Sequence, residues 1–171
     1  MEKNLKTLKK FINENSMVSH KDGTYMSVTL DKPSQDKLFS WVEDNDIVNA
    51  CDPSQYHSTV IYSRKSCPDA VEYDLGLPIE STIKEFKLFD TQTGKKCLVG
   101  IIDSKELDKH HDILVDDYGA THDFPEYHPH VTLSYDFIGN VPKEVPDFVL
   151  TFDSSECKAL DPNFVPDKAK K

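Results

Sequence analysis

Two stretches decide how this chain folds: Tyr56–Ser63, YHSTVIYS, and His128–Phe137, HPHVTLSYDF. Both are rich in β-branched and aromatic residues and alternate polar with apolar positions, which predicts half-buried strands. Side chains at i and i+2 of a strand share a face, so His57 and Thr59 point the same way, roughly 7 Å apart. His130 and Thr132 do likewise. Val60 and Leu133 then face the core. Of the seven histidines, only His57 and His130 have Ser or Thr two residues on.

The flanking sequence supplies the remaining elements. Tyr25–Asp31 reads as a strand. Ser34 reads as the cap of a helix with Leu38, Trp41 and Val42 on its inner stripe, and Asp44–Ser54 as a polar turn. Residues 64–79, with Pro68, Gly76 and Pro78, read as an irregular surface loop. Ser81–Asp90 and Lys96–Ile102 form a hairpin with Thr93-Gly94 near its turn. Ser104 caps a helix in which Leu107, His111, Leu114 and Tyr118 share a side. Asp116–Tyr127 is an acidic, irregular connection, and Phe148–Asp153 is the last main strand. At the start, Leu5, Leu8, Phe11 and Ile12 have helical spacing.

This order predicts an α+β fold: two lobes of antiparallel strands with flanking helices and a central cleft. Each lobe contributes one His-x-Thr strand. The expected organisation is an N-terminal helical extension over 1–20, one domain over 21–161 and a lysine-ending tail over 162–171.

Composition narrows the class. The chain has 171 residues, 37% of them hydrophobic, enough for one domain with a real core. Its net charge of −10 repels polyanions at long range, which argues against duplex DNA as a partner. A small anion held in a local pocket remains compatible. Cys51, Cys67, Cys97 and Cys157 contain no C-x-x-C pair. No apolar signal region follows Met1, and no run of about 18 apolar residues suggests a membrane span. Free thiols without an export signal fit a reducing cytoplasm.

The paired His-x-Thr strands carry the chemistry. Displacement at phosphorus is in-line: one group takes a proton from the nucleophile and another gives one to the leaving oxygen. Imidazole suits both tasks, because it titrates near neutrality. Threonine hydroxyls beside the imidazoles can donate to the non-bridging oxygens as charge builds. A protonated imidazole supplies positive charge, so neither a metal nor another cofactor is expected. A single strand histidine is most often a packing or surface residue, and a strand threonine is simply a good β-former. The argument rests on the pair.

Other residues have plainer readings. His128 and His130 have a metal-ligand spacing and His122 is near, but further ligands are not evident, so no metal site is expected. His110 and His111 read as part of a solvated helix face, and Arg64 and Lys65 as loop charges. Nothing fixes a geometry for Glu72, Asp74 and Glu80. Tyr56, Tyr62 and Tyr135 read as strand packing.

The two motifs match H-x-[ST]-apolar at every position, and the chain resembles the 2H phosphoesterase superfamily. It is closer still to the phage anti-CBASS cyclic-oligonucleotide phosphodiesterases. Gly23-Thr24-Tyr25, the Y-H-x-T of the first motif and the P-H-x-T-L-S of the second carry that likeness, over about residues 22–160. The resemblance implies metal-free cleavage of 3′–5′ bonds in cyclic di- and trinucleotide messengers, in the cytoplasm of an infected bacterial host, so that antiviral defence is not triggered. It implies catalytic roles for His57, Thr59, His130 and Thr132, and base stacking on Tyr25. Phe89, or alternatively Phe86, stands where the family has a tryptophan. Glu156 matches an acidic residue that holds a base. The rival functions are a 2H enzyme acting on RNA 2′,3′-cyclic phosphates or 2′–5′ oligoadenylates, and a module that sequesters nucleotides without cutting them.

Overall fold

The computed structural model describes residues 20–161. The expected helix over 2–15 and the tail from 162 lie outside them. The described strands are β1 (Thr24–Leu30), β2 (His57–Ser63), β3 (Ile79–Asp90), β4 (Lys96–Asp103), β5 (His130–Ser134) and β6 (Leu150–Ala159). The helices are α1 (Lys32–Asp44) and α2 (Lys105–Tyr118).

The strands form one sheet in the order β2-β1-β6-β3-β4-β5. Every pairing is antiparallel. The long strand β3 joins two halves: Ile79–Ser81 pairs with β6, and Thr82–Asp90 pairs with β4. The two expected lobes are therefore the halves β2-β1-β6 and β3-β4-β5 of a continuous sheet. Each half builds its outer strand in the same way, by strand, helix, then edge strand: β1-α1-β2 and β4-α2-β5. The sheet curls so that its outer strands β2 and β5 approach one another. The main core includes Val28, Val60, Leu133 and Phe152 from the sheet, Leu38 and Val42 from α1, and Leu107 and Leu114 from α2.

Local chemistry sets the helix ends. Asp31, not Ser34, caps α1: its carboxylate accepts the Ser34 N–H at 2.9 Å. Pro33 lies in the first turn, where a missing N–H costs nothing, so the helix begins earlier than the serine suggested. Ser34 is instead buried, and its hydroxyl accepts the Thr151 N–H at 2.8 Å. Trp41 stacks on Phe86 with ring centroids 4.9 Å apart. In α2, Ser104 accepts the Leu107 N–H at 3.1 Å, and Gly119 ends the helix at φ +75°.

Three further segments differ from the sequence reading. Residues 64–79 are not a plain surface loop: Pro68–Glu72 forms a 3-10 turn, and Cys67, Ala70 and Leu75 enter the core. Strand β6 continues to Ala159, because its polar half, Ser154 to Ala159, pairs residue by residue with β1. Strand β5 begins only at His130, after a proline that has no N–H for the ladder. Among the described residues no helix is long and apolar enough to cross a membrane.

Candidate active site

The two motif strands share a distortion. On β2, Thr59 lies opposite Ser27 and Ile61 opposite Met26, so Val60 is skipped. On β5, Thr132 lies opposite Val99 and Ser134 opposite Leu98, so Leu133 is skipped. Each strand therefore bulges at the apolar residue just after its threonine. Two consecutive residues are buried at each bulge, Val60-Ile61 and Leu133-Ser134. Beyond the bulge the alternation is shifted by one. Tyr62 and Tyr135 thus return, half-buried, to the face that carries His and Thr. The packing reading holds for Tyr135, which packs against both core clusters, and both tyrosines in addition face the site. The sequence signal was available: the motifs extend in parallel as HSTVIY and HVTLSY. A strict period of two hides it. Tyr56 is fully buried, in keeping with packing.

Both imidazoles are anchored alike. Nδ1 of His57 meets the Gln55 carbonyl at 2.6 Å, and Nδ1 of His130 meets the His128 carbonyl at 2.9 Å. A carbonyl only accepts, so Nδ1 carries the proton and Nε2 is left as the nitrogen that exchanges protons. Burial lowers the pKa of His130, the bond to the His128 carbonyl opposes that shift, and the nearby His57 and His128 add to it. His57 and His130 are thus electrostatic neighbours across the join of β2 and β5.

Each threonine has a tyrosine partner. The Tyr25 hydroxyl is 3.0 Å from Thr59 Oγ1. Tyr135 lies close enough to Thr132 for the threonine side chain to oppose the upward shift of the tyrosine hydroxyl. Burial raises the pKa of both tyrosines, so both hydroxyls keep their protons at neutral pH. A tyrosine that donates to a threonine oxygen leaves the threonine proton available to an outside acceptor.

Behind β2, the Tyr127 hydroxyl donates to the Thr59 carbonyl at 2.7 Å, and His111 Nδ1 donates to the Val60 carbonyl at 2.7 Å. The two rings stack at 4.0 Å, 2° from parallel. On the other half, the Cys51 N–H donates to the Leu133 carbonyl at 2.8 Å. His111 is 4% exposed, so the solvated-face reading fails for it. His110 is partly buried against Tyr73, whose hydroxyl lies 2.6 Å from its Nδ1. Sequence reasoning missed Tyr127 and this role of His111, because a side chain that reaches another strand's carbonyl has no local signature.

The walls differ in character. Directly paired strand residues form the rows Tyr62–Tyr25–Lys158, Thr59–Ser27–Glu156 and His57–Thr29–Ser154. Paired residues share a face, so Glu156 and Lys158 line the same side as Tyr25 and Thr59. Lys158 Nζ lies 5.7 Å from the Tyr25 ring centroid and 3.5 Å from the Glu156 carboxylate. The opposite wall is apolar: Cys97, Val99 and Ile101 cluster with Phe89 and Tyr135, apart from the main core. The Phe89 ring sits edge-on to His130 at 5.0 Å. Phe86 points the other way, into the core against Trp41.

The other candidates lie in side interactions. Arg64 forms a forked ion pair with Asp123, at 3.0 and 3.1 Å. His128 Nε2 pairs with Glu126 at 3.2 Å, and His122 Nε2 with the Glu126 carbonyl at 3.2 Å.

The model of the family described as "Anti-CBASS protein Acb1" matches residues 22–167, which include both motifs. Acb1 of Vibrio phage KVP40 is 36% identical over 114 residues, 67% of this chain and 73% of that protein. Acb1 of Enterobacteria phage T4 is 32% identical over 122 residues, 70% of this chain and 78% of that one. Among solved structures, E. coli LigT complexed with 3′-AMP superposes with a TM-score of 0.55 at 16% identity, covering 78% of this chain and 85% of LigT. A crystal structure of a phosphoesterase gives a TM-score of 0.55 at 14% identity, covering 78% and 85%. These likenesses give the fold, an α+β fold of the 2H phosphoesterase kind.

Proposed function

This chain belongs to the family of the anti-CBASS protein Acb1, and on that premise we propose that it is a phosphodiesterase that degrades cyclic oligonucleotide messengers and so disarms CBASS defence in an infected bacterial cell. The observation that carries the reading is the pair of imidazoles on β2 and β5. Each is tied through Nδ1 to the carbonyl two residues before it, with a threonine on the same face. Mere sequestration of a nucleotide needs no such pair.

The reaction proceeds by attack of a ribose 2′-OH on the adjacent 3′ phosphorus. One imidazole takes the 2′-OH proton through Nε2, and the other protonates the departing 5′ oxygen. The P–O5′ bond breaks as the P–O2′ bond forms, leaving a linear product with a 2′,3′-cyclic phosphate. Burial favours the neutral form of His130, the form a general base needs, which suits it to that role; His57 then serves as the acid. Thr59 and Thr132 donate to the non-bridging oxygens, which carry more charge in the transition state than in the ground state. The charge is met by imidazolium and hydroxyl donors, so no step calls for a metal ion. Tyr25 and Phe89 offer faces on which the bases stack, and Glu156 accepts from base N–H groups. The net charge of −10 favours a small, enclosed ligand over a long RNA.

The test is incubation with 3′–5′ linked cyclic GMP–AMP in EDTA, read by mass spectrometry beside His57→Ala and His130→Ala. Wild type is expected to give linear product at full rate, while each variant retains only a small, measurable residual rate. An otherwise identical substrate lacking the attacking 2′-OH should stay intact. Cleavage that survives loss of both histidines would refute the mechanism. Opening of RNA 2′,3′-cyclic phosphate ends without cleavage of the cyclic dinucleotide would shift the substrate and keep the chemistry.

A further inference from the structure

Tyr127 belongs to neither His-x-Thr motif, yet it touches one and leads directly into the other. Its hydroxyl donates to the carbonyl of Thr59 on β2 at 2.7 Å. The next residue, His128, supplies the carbonyl that accepts Nδ1 of His130 at 2.9 Å. The short segment 127–130 thus connects the backbone of the first half-site to the imidazole of the second. Its ring is fixed by the parallel stack on His111 at 4.0 Å, and His111 itself holds the neighbouring Val60 carbonyl at 2.7 Å.

Such a tie has a physical purpose. β2 and β5 stand at opposite ends of the strand order, so the ladder relates them only through all four strands between them. Sheet twist varies by several degrees per strand pair, and that variation accumulates across the sheet. In-line displacement tolerates little of it: a misplacement of about 1 Å costs on the order of 100-fold in rate. Further ties, from Cys51 to the Leu133 carbonyl and from Ser134 to the Val48 carbonyl, hold β5 to the segment before β2 and not to a motif residue of β2.

We infer that Tyr127 is a positioning residue that sets the separation of the His57 and His130 imidazoles for phosphodiester cleavage; the inference rests on the proposed function. Tyr127→Phe is the variant of choice, because it keeps the ring stacked on His111 and deletes only the donor. With cyclic GMP–AMP, kcat should fall by about 10- to 100-fold while KM stays within about twofold. The same substitution placed on His57→Ala should add no further loss, since spacing no longer matters when one imidazole is gone. A crystal structure of Tyr127→Phe should show a changed distance between the two rings. A purely structural residue would lower Tm and reduce activity by the same factor in both backgrounds, and that result would overturn the inference. So would an unchanged kcat, or an unchanged ring separation, which is read without any substrate. If wild type cleaves only RNA 2′,3′-cyclic phosphates, the proposed substrate falls, and the same kcat comparison on that substrate still decides the role of Tyr127.

Discussion

His130 carries the sharpest consequence at the scale of single residues. Its pKa lies below the ordinary value of 6.5, chiefly through burial, so the imidazole is neutral at physiological pH and gains its proton only on acidification. If it is the base, kcat/KM falls as pH drops through that lowered pKa, and the acid limb lies below about pH 6.5. The pH profile of kcat/KM checks this; an acid limb centred above that value would assign the base elsewhere. The threonines act on charge that builds in the transition state. Thr59→Val and Thr132→Val should each cost on the order of 100-fold or more in kcat with KM little changed. Steady-state kinetics on the two variants tests that, and loss confined to KM would make them ground-state binding groups. The residue types and their i, i+2 spacing were legible in the chain, because strand geometry converts spacing directly into a shared face. The Nδ1 anchors were not, since each depends on where a carbonyl points after the chain turns.

At the scale of elements, the twin bulges and the start of β1 set the register. Gly23 sits at φ +127°, and a Cβ there would lie 2.0 Å from the Ser63 carbonyl oxygen. The close approach occurs where β1 begins against the end of β2, two residues before Tyr25. Gly23→Ala combines a strained φ with a clash against backbone, so it should destabilise by clearly more than about 1 kcal/mol. Urea unfolding at constant m reads the value; a neutral result would mean that the β1–β2 junction yields easily. Trp41 seals α1 against the sheet through Phe86. Trp41→Ala should cost about 3 kcal/mol in the same assay, the low end for a large aromatic because Trp41 is not fully buried. The strands, both helices and the β3–β4 hairpin could be read from pattern and punctuation. The start of α1 was misassigned because two capping residues stand three apart, and only the proline between them, placed in the first turn, decides which one caps.

Over the whole molecule, several histidines share one direction of shift. His20, His110, His111 and His130 all lie below 6.5, each with burial as the largest cause. The sign follows from linkage. Above the unfolded value these groups are neutral in both states and contribute no pH dependence. Below it the unfolded chain binds protons that the folded one resists, so stability falls as pH drops. Tm should therefore decline between about pH 7 and pH 5, and His111→Asn should flatten part of that slope. Differential scanning calorimetry across the range decides; a Tm that rises on acidification would contradict the shifts.

What the sequence by itself determined was the local chemistry: two half-buried strands, each with an imidazole and a hydroxyl on one face, and helices to cover the other face. These follow from periodicity, capping and β-propensity, which act over a few residues. Only the tertiary structure decided how the halves meet. The bulges that turn Tyr62 and Tyr135 towards the site depend on pairing with β1 and β4. The outer face of β6 is recruited by its register with β1, which sets Glu156 and Lys158 beside Ser27 and Tyr25. The hold of Tyr127 and His111 on Thr59 and Val60 joins residues more than fifty positions apart. Contacts of that kind arise from the closure of the sheet upon itself, and no short-range pattern in the chain encodes them.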